Sequence, residues 1–273
     1  MSTAVAVVIV SWNSRDDLQA CLQSLATVSL PLEVVVVDNA SSDGSADAAR
    51  AKAPQAMVID AGENLGFARA SNRGWCASRA PYVLFLNPDA TVTPGALESL
   101  RAILEARPEV GIVGPLTHNP DGTPQISFGP DLTPLGEWRQ RRLVSRVRDR
   151  DPRTLRWLED ATSREQEPAW VSGSCLLIRR TLLETLGGFD EGFFLYEEDV
   201  DLCVRARKAG ARVVFTPLAR VIHRLGRSME QAATRARAEY DRSHVHFYRK
   251  HNGPLLTGLL RLQIAVRVAL RGR

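Results

Sequence analysis

Glu33-Val34-Val35-Val36-Val37-Asp38-Asn39-Ala40-Ser41-Ser42-Asp43-Gly44 is the stretch that decides the fold. Residues 33–37 form a nearly unbroken β-branched run, as expected for a strand covered on both faces, and such strands belong to parallel sheets flanked by helices. The run stops at a carboxylate and a cluster of Asn, Ser, Asp and Gly, the residues that make turns. In an open parallel sheet, ligands bind beyond the carboxyl ends of the strands. Asp38 therefore stands where a ligand is met.

The same grammar extends in both directions. Upstream, Ala4–Val10 is another buried run, ending in Ser11-Trp12-Asn13. Leu18, Cys21, Leu22 and Leu25 follow at helical spacing, with Asn13 or Ser14 as N-cap. Downstream come a helix over Ser45–Ala53, a strand over Met57–Asp60, the loop Glu63-Asn64-Leu65-Gly66-Phe67 and a helix over Ala68–Ala77. A strand over Tyr82–Leu86 ends in Asn87-Pro88-Asp89, and Pro94–Ala106 is helical. Alternating strands and helices predict parallel βαβ units, with these polar clusters gathered on one edge. Beyond Gly111–Leu116 the alternation lapses. Asn119-Pro120-Asp121-Gly122 is a turn signal, and residues 131–168 are Arg-rich and weakly patterned. Trp170–Ile178 reads as a strand, Thr181–Leu186 and Glu197–Ala209 as helices, and Arg212–Thr216 as a strand.

Composition narrows the class. With 273 residues, 44% hydrophobic and 24% charged, the chain is globular and has material for a real core. Cys21, Cys76, Cys175 and Cys203 are far apart, form no Cys-x-x-Cys, and read as reduced core residues in a reducing compartment. No signal-peptide pattern or uninterrupted apolar stretch of about 18 residues is found, so no spanning helix is expected. Seven Lys/Arg and no Asp/Glu lie from Arg242 onward; the net charge of +4 less those seven leaves the preceding chain near −3. The basic character belongs to the tail, and a nucleic-acid surface is not indicated.

There is no P-loop and no Gly-x-Gly-x-x-Gly after the first strand. A nucleotide can still bind through Asp38, whose carboxylate accepts from a base N–H or a ribose hydroxyl, with Trp12 against the base. Asp89, on a Pro-constrained turn at a strand end, suits Mg2+ or Mn2+ otherwise held by phosphates and water. Tyr196-Glu197-Glu198-Asp199-Val200-Asp201 places four carboxylates behind an aromatic run at a helix start. Some of them complement the helix dipole. A carboxylate crowded by others and by apolar walls has a raised proton affinity, which suits a general base.

Taken in order, these motifs resemble the family 2 inverting glycosyltransferases of the GT-A fold, and most closely their bacterial rhamnosyltransferase-like branch. The motifs are Ser-Trp-Asn, Val-Asp-Asn-Ala-Ser-Ser-Asp-Gly-Ser, Glu-Asn-Leu-Gly-Phe-Ala-Arg-Ala-Ser-Asn, Leu-Asn-Pro-Asp, Gly-Gly-Phe-Asp-Glu, Tyr-Glu-Glu-Asp-Val-Asp-Leu, and His223 near Gly226 and Ser228. The resemblance runs from about residue 4 to about residue 250. It implies an α/β fold with a mixed, mostly parallel sheet flanked by helices. A glycosyltransferase domain over residues 1–250 would have a nucleotide-binding half to about residue 116 and an acceptor half from about 117. A basic apolar helix, 251–273, would follow.

What the resemblance implies for the site falls on matching positions. Ser11, Trp12, Asn13 and Asp38 would hold base and ribose, with Asn64, Gly66 and Asn72 lining the same pocket. Asn87-Pro88-Asp89 stands where the family often has Asp-x-Asp; Asn87 replaces the first carboxylate, so Asp89 would ligate the metal with His223. Asp199 would be the base, with Glu198 as alternative, and Trp170, Gly173 and Ser174 would form the acceptor side. The implied reaction moves a sugar, rhamnose from dTDP-rhamnose by first choice or one from a UDP-sugar, onto a hydroxyl of a glycan or lipid-linked acceptor in cell-surface polysaccharide synthesis. That implies a cytoplasmic protein, peripheral on the inner face of the plasma membrane.

Two rival classes fare worse. A nucleotidyltransferase needs a basic, Gly-rich phosphate loop where this chain has Trp12-Asn13, and a non-catalytic sugar-nucleotide-binding module has no use for Glu198-Asp199. His244 and His246, in Arg-rich sequence, read as helix-surface residues. In the tail, Leu255, Leu259, Leu262 and Val266 make one helical face, while Leu260, Ile264 and Val268 interrupt the other. That pattern fits either an interfacial helix on an anionic membrane or a helix packed on the domain. The arginines from Arg139 to Arg156 fit a solvated loop or an auxiliary membrane contact.

Overall fold

A computed structural model describes residues 5–224 and 233–271; Gly226 and Ser228 lie outside the described residues. The strands are β1 (Val5–Ser11), β2 (Leu32–Asp38), β3 (Met57–Asp60), β4 (Tyr82–Leu86), β5 (Ala90–Val92), β6 (Val110–His118), β7 (Phe128–Gly129), β8 (Trp170–Val171), β9 (Cys175–Arg179) and β10 (Arg212–His223). The helices are α1 (Arg15–Leu25), α2 (Ser45–Lys52), α3 (Gly66–Cys76), α4 (Ala96–Ala106), α5 (Pro134–Arg148), α6 (Pro152–Thr162), α7 (Arg180–Leu186), α8 (Glu198–Lys208), α9 (Ala233–His251) and α10 (Gly253–Arg271).

Eight strands form one sheet in the order β3-β2-β1-β4-β9-β6-β10-β5, and β7 and β8 form a separate two-stranded ribbon. Parallel pairing joins β3, β2, β1 and β4, and likewise β6 and β10, whereas β9 and β5 run antiparallel to their neighbours. The sheet is therefore mixed and mostly parallel, as expected. All seven residues of β1 are buried. Val5, Val7 and Ile9 join Leu18 and Leu22 of α1 and Leu97 and Leu100 of α4 on one face. Ala6 and Val8 share the other face with Leu183 of α7, Leu202 of α8 and Phe247 of α9. A strand that supplies both cores has no room for a polar residue until it ends.

Several expectations need correction. The arginines from Arg139 to Arg156 lie mostly on helices rather than on a loop: α5 and α6 start at Pro134 and Pro152, capped by the Thr133 and Asp151 side chains. The apolar stretch 170–178 is broken by a turn at 172–174, because β8 pairs with β7 while β9 enters the main sheet. The last strand runs on to His223 through a register shift between Thr216 and Arg220. Cys21, Cys175 and Cys203 are buried and free, but Cys76, at the end of α3, is exposed. One helix, α10, is long and apolar enough to cross a membrane by length and composition, despite its arginines. In the sheet, β9 lies between β4 and β6, so strands from both sides of residue 116 are neighbours.

Candidate active site

The polar strand ends do gather on one edge. Register places Ser11 beside Asp38, and Asp38 beside Asp60. Asp38 is buried; one carboxylate oxygen accepts the Ser41 N–H at 2.9 Å, and the other is buried without a partner. An unpartnered buried acceptor is costly, and a ligand N–H or hydroxyl would satisfy it. Asn13 adopts a left-handed conformation, donates its N–H to Ser41 Oγ at 2.9 Å and accepts from the Ser42 N–H at 2.8 Å. It pins the loop after β1 to the loop after β2, with Trp12 half-buried beside it.

The Asn64–Gly66 loop ties this corner to the acidic cluster. Asn64 Oδ1 accepts the Gly66 N–H at 3.0 Å, and buried Asn39 donates to the Gly66 carbonyl at 3.2 Å. Gly66 has φ +77°, and a Cβ there would run into the Phe194 carbonyl. That carbonyl accepts the Phe67 N–H at 2.8 Å. Asn72 is further away in role: it donates to the Phe189 carbonyl at 2.9 Å and accepts from the Phe189 N–H at 2.9 Å. Its amide is spent on holding the turn that leads to the acidic cluster.

His223 reaches Asp89 because β10 pairs with β5, which sets His223 opposite Ala90. His223 Nε2 lies 3.1 Å from Asp89 Oδ1 and 3.3 Å from the Asn87 amide nitrogen. Gln125 sets the tautomer. Its nitrogen donates to the His223 carbonyl at 2.7 Å and to Asn119 Oδ1 at 2.8 Å, so its oxygen faces His223 Nδ1 at 3.2 Å. Nδ1 therefore donates to Gln125, and Nε2 is the nitrogen that faces Asp89. A carboxylate oxygen and an imidazole nitrogen 3.1 Å apart converge on one point, which a proton or a metal cation can occupy. Among the described residues no third His, Cys, Asp or Glu joins the pair. A carboxylate and an imidazole, the latter oriented by an amide, fit Mg2+ or Mn2+ that takes its other ligands from phosphate and water.

The four carboxylates of the acidic cluster part ways. Asp201 is fully buried and paired with Arg205 at 2.6 Å and with Lys250 and His251 at 2.7 Å each, so it is structural. Glu197 pairs with His244 Nδ1 at 2.6 Å. Glu198 is buried with one oxygen unpartnered; burial, and then the charge of Asp199, push its pKa well above the ordinary carboxylate range. Asp199 keeps some exposure and accepts the Gly173 N–H at 2.6 Å; burial raises its pKa despite that bond. Tyr196 and Glu197 are both left-handed, at φ +71° and +66°. Of the five non-glycine residues with positive φ among those described, Asn13 and Ala40 lie in loops after β1 and β2, and Tyr196 and Glu197 in the connection from α7 to α8. Backbone strain of this kind clusters at functional sites.

Short links connect the metal-fitting pair to the acidic cluster. Leu86 pairs with Cys175, and the Asn87 N–H donates to the Ser174 carbonyl at 2.9 Å. Gly173, one residue back, meets Asp199, and a Cβ on it would press on that carboxylate. Trp170 is set apart from this junction, its indole N–H donating to the Pro130 carbonyl at 2.9 Å. Sequence reasoning missed Gln125 and His244 as contributors, and it gave Glu197 no partner. His244 is buried rather than on the helix surface and bridges Glu197 and Glu137, the latter at 3.2 Å. His246 is part-buried against Asp190 at 3.1 Å. Only the aromatic spacing of Tyr240, His244 and Tyr248, one per turn of a helix, signalled a buried face.

Comparison with known proteins identifies the family. The family model described as Glycosyl transferase family 2 matches residues 6–187. The chain is 32% identical to an N-acetylglucosaminyl-diphospho-decaprenol L-rhamnosyltransferase of Mycobacterium tuberculosis over 99% of this chain and 95% of that one. It is 27% identical to the low-salt glycan biosynthesis hexosyltransferase Agl10 of Haloferax volcanii over 80% of this chain and 66% of that one. Among solved structures, a mannosyltransferase of Pyrobaculum calidifontis in complex with GDP-Man and Mn2+ matches 96% of this chain and 69% of its own, with TM-score 0.65 and 21% identity. TarS 1–349 of S. aureus in complex with UDP-GlcNAc matches 84% and 61%, with TM-score 0.56 and 20% identity. The fold is that of the GT-A glycosyltransferases, and the chain belongs to glycosyl transferase family 2.

Proposed function

We propose that this glycosyltransferase moves rhamnose from dTDP-rhamnose, with inversion, to a hydroxyl of a lipid-linked saccharide in cell-surface polysaccharide synthesis. The observation that carries the reading is the junction at Gly173-Ser174, where one turn joins the Asn87–Asp89 corner to Asp199. Donor diphosphate and acceptor hydroxyl must meet at such a junction. The mycobacterial relative's name, which specifies rhamnose and a diphospho-decaprenol acceptor, supports the choice of substrates.

Ser11, Trp12, Asn13 and Asp38 hold the base and ribose, with Asn64 and Gly66 shaping the pocket wall and Asn72 acting through the turn it fixes. Mg2+ or Mn2+ held by Asp89 and His223, with Asn87 alongside, would supply Lewis-acid stabilisation of the departing diphosphate. Asp199 takes the proton from the acceptor hydroxyl as its oxygen attacks the anomeric carbon from the side opposite the diphosphate, and the bond to the diphosphate breaks. Its raised proton affinity suits that task. Gly173 and Ser174 leave room for the acceptor ring, with Trp170 at the edge. The same reading puts the protein on the cytoplasmic face of the plasma membrane, held peripherally. Leu255, Leu259, Leu262, Val266 and Leu270 of α10 are exposed on one face, while Leu260 is buried and Arg267 pairs with Asp241 of α9 at 2.5 Å. A helix packed on one side and apolar on the other suits an interface.

The test is transfer by the full chain to N-acetylglucosaminyl-diphospho-lipid, offered dTDP-rhamnose or UDP-sugars, with Mn2+, with Mg2+ or with chelator. Metal-dependent transfer from dTDP-rhamnose is expected. Transfer from a UDP-sugar alone corrects the donor, and undiminished transfer in chelator removes the metal.

A further inference from the structure

Away from the Gly173-Ser174 junction, α5, α6 and the β7–β8 ribbon enclose an open cleft of about 1130 Å3. This is at or above the upper end for small-ligand sites, usually about 300–1,000 Å3. Its floor is apolar, with Phe128 and Leu158 buried beneath it. Trp138 and Trp157 line it and remain exposed at 55% and 49%. Large exposed indoles are costly to leave in water, and their presence at a cleft marks a contact surface.

The charge in the cleft is lopsided. Arg139, Arg142 and Arg146 share a face of α5 at helical spacing, and Arg153 lies on α6. None of the four forms a salt bridge among the described residues. Asp131 pairs with Arg207 at 2.6 Å and Glu167 with Arg212 at 2.7 Å, while Asp151 caps α6 and offsets part of the charge of Arg146 and Arg153. Asp149 accepts from Ser145 at 3.3 Å. Arg142 stacks over the Trp138 ring at 5.2 Å, which orients its guanidinium without neutralising it. Guanidinium groups bind phosphate oxygens through paired N–H donors. A cleft with an apolar floor, indole walls and four guanidinium groups outside any salt bridge among the described residues fits an amphiphile with an anionic phosphate head.

We propose that this cleft binds the isoprenoid diphosphate of the lipid-linked acceptor, with the arginines on the diphosphate and Trp138, Trp157 and Phe128 on the hydrocarbon. The β7–β8 ribbon connects this cleft to the chemistry. Trp170 packs on Gly129, which borders the cleft, and Gly173, whose N–H meets Asp199, follows three residues later. Trp170 and Gly173, three residues apart, lie within about 10 Å of each other. The cleft would thus hold the carrier while its sugar lies at Asp199. The inference rests on the lipid-linked acceptor reading given above.

The experiment uses the full chain and the triple variant Arg139→Gln, Arg142→Gln, Arg146→Gln, whose exposed side chains can change without touching the core. Calorimetric titration with farnesyl diphosphate should show binding to the wild type and at least ten-fold weaker binding to the variant. Inorganic pyrophosphate should bind the wild type at least ten-fold more weakly than farnesyl diphosphate. With the lipid-linked acceptor, the variant's KM for acceptor should rise at least ten-fold while its KM for the nucleotide-sugar stays constant. Equal farnesyl diphosphate affinity in both proteins, pyrophosphate binding as tightly as the lipid, or an unchanged acceptor KM overturns the cleft assignment. If the wild type transfers no sugar to any lipid-linked diphosphate acceptor, the acceptor reading itself fails, whatever the titrations show.

Discussion

At Asp199 one carboxylate meets two backbone N–H groups, from Gly173 and Val200, a buried acidic neighbour and the edge of the solvent, and these contacts define its chemistry. The N–H of Gly173 orients it, burial raises its affinity for a proton, and partial exposure lets an acceptor reach it. Asp199→Asn keeps the size and loses the base. Steady-state kinetics should record a fall in kcat of at least about 10²-fold with little change in donor affinity. A near-normal Asp199→Asn beside an inactive Glu198→Gln would move the base by one residue. Asp89→Ala should abolish metal-dependent donor binding, read by calorimetry with and without Mn2+, without lowering the melting temperature appreciably. Gly66→Ala places a Cβ against the Phe194 carbonyl in a left-handed conformation and should cost roughly 1–3 kcal/mol, visible as a lower denaturation midpoint. Residues such as Asp38, Asp89 and Asp199 were legible in the sequence because a strand or helix boundary marks each of them. Gln125 was not, because its role depends on a chain reversal that brings it under His223, 98 residues away.

The helices divide by how openly they declare their buried face. The α1 and α4 helices carry leucines at helical spacing into the core, so the sequence displays them. The α5 helix buries only Gly136 and Glu137 and exposes its arginines, which is why the stretch read as loop. Its attachment is polar: Glu137 takes the Tyr248 hydroxyl and His244 of α9. The tail poses a different problem. Leu260 is buried, whereas Leu255, Leu259, Leu262, Val266, Val268 and Leu270 are exposed, so the helix touches the body along part of its surface and leaves apolar side chains in the open. Leu259→Glu with Leu262→Glu alters only the exposed face. Flotation with vesicles containing anionic lipid should show wild-type binding that weakens with salt and is lost in this variant, with the melting temperature unchanged. A large drop in melting temperature instead would mean that this face packs against protein.

Across the molecule, His244 fastens three separate parts: Glu137 on α5, Glu197 at the head of α8, and α9 itself. Burial alone would lower its pKa, but hydrogen bonds to Glu137 and Glu197 raise it from 6.5 to about 9. A raised pKa means that the folded state holds the proton more tightly. Stability from this clamp is full below about pH 6.5 and is lost as pH rises through about 9. Denaturation midpoints measured from pH 6 to 10 should fall across that window, and His244→Ala should flatten the decline. The same variant leaves Glu197 buried without its partner, at a cost of about 3–5 kcal/mol. The position of β9 bears on how such a molecule is born. This strand arrives after residue 174, yet it takes the seat between β4 and β6. Until the ribosome has released it, the first four strands present an unpaired edge at Tyr82–Leu86, a hazard of the kind that chaperones cover. Vectorial synthesis cannot finish this sheet in order. A nascent chain halted near residue 116 should remain protease-sensitive, and one released past residue 179 should begin to resist.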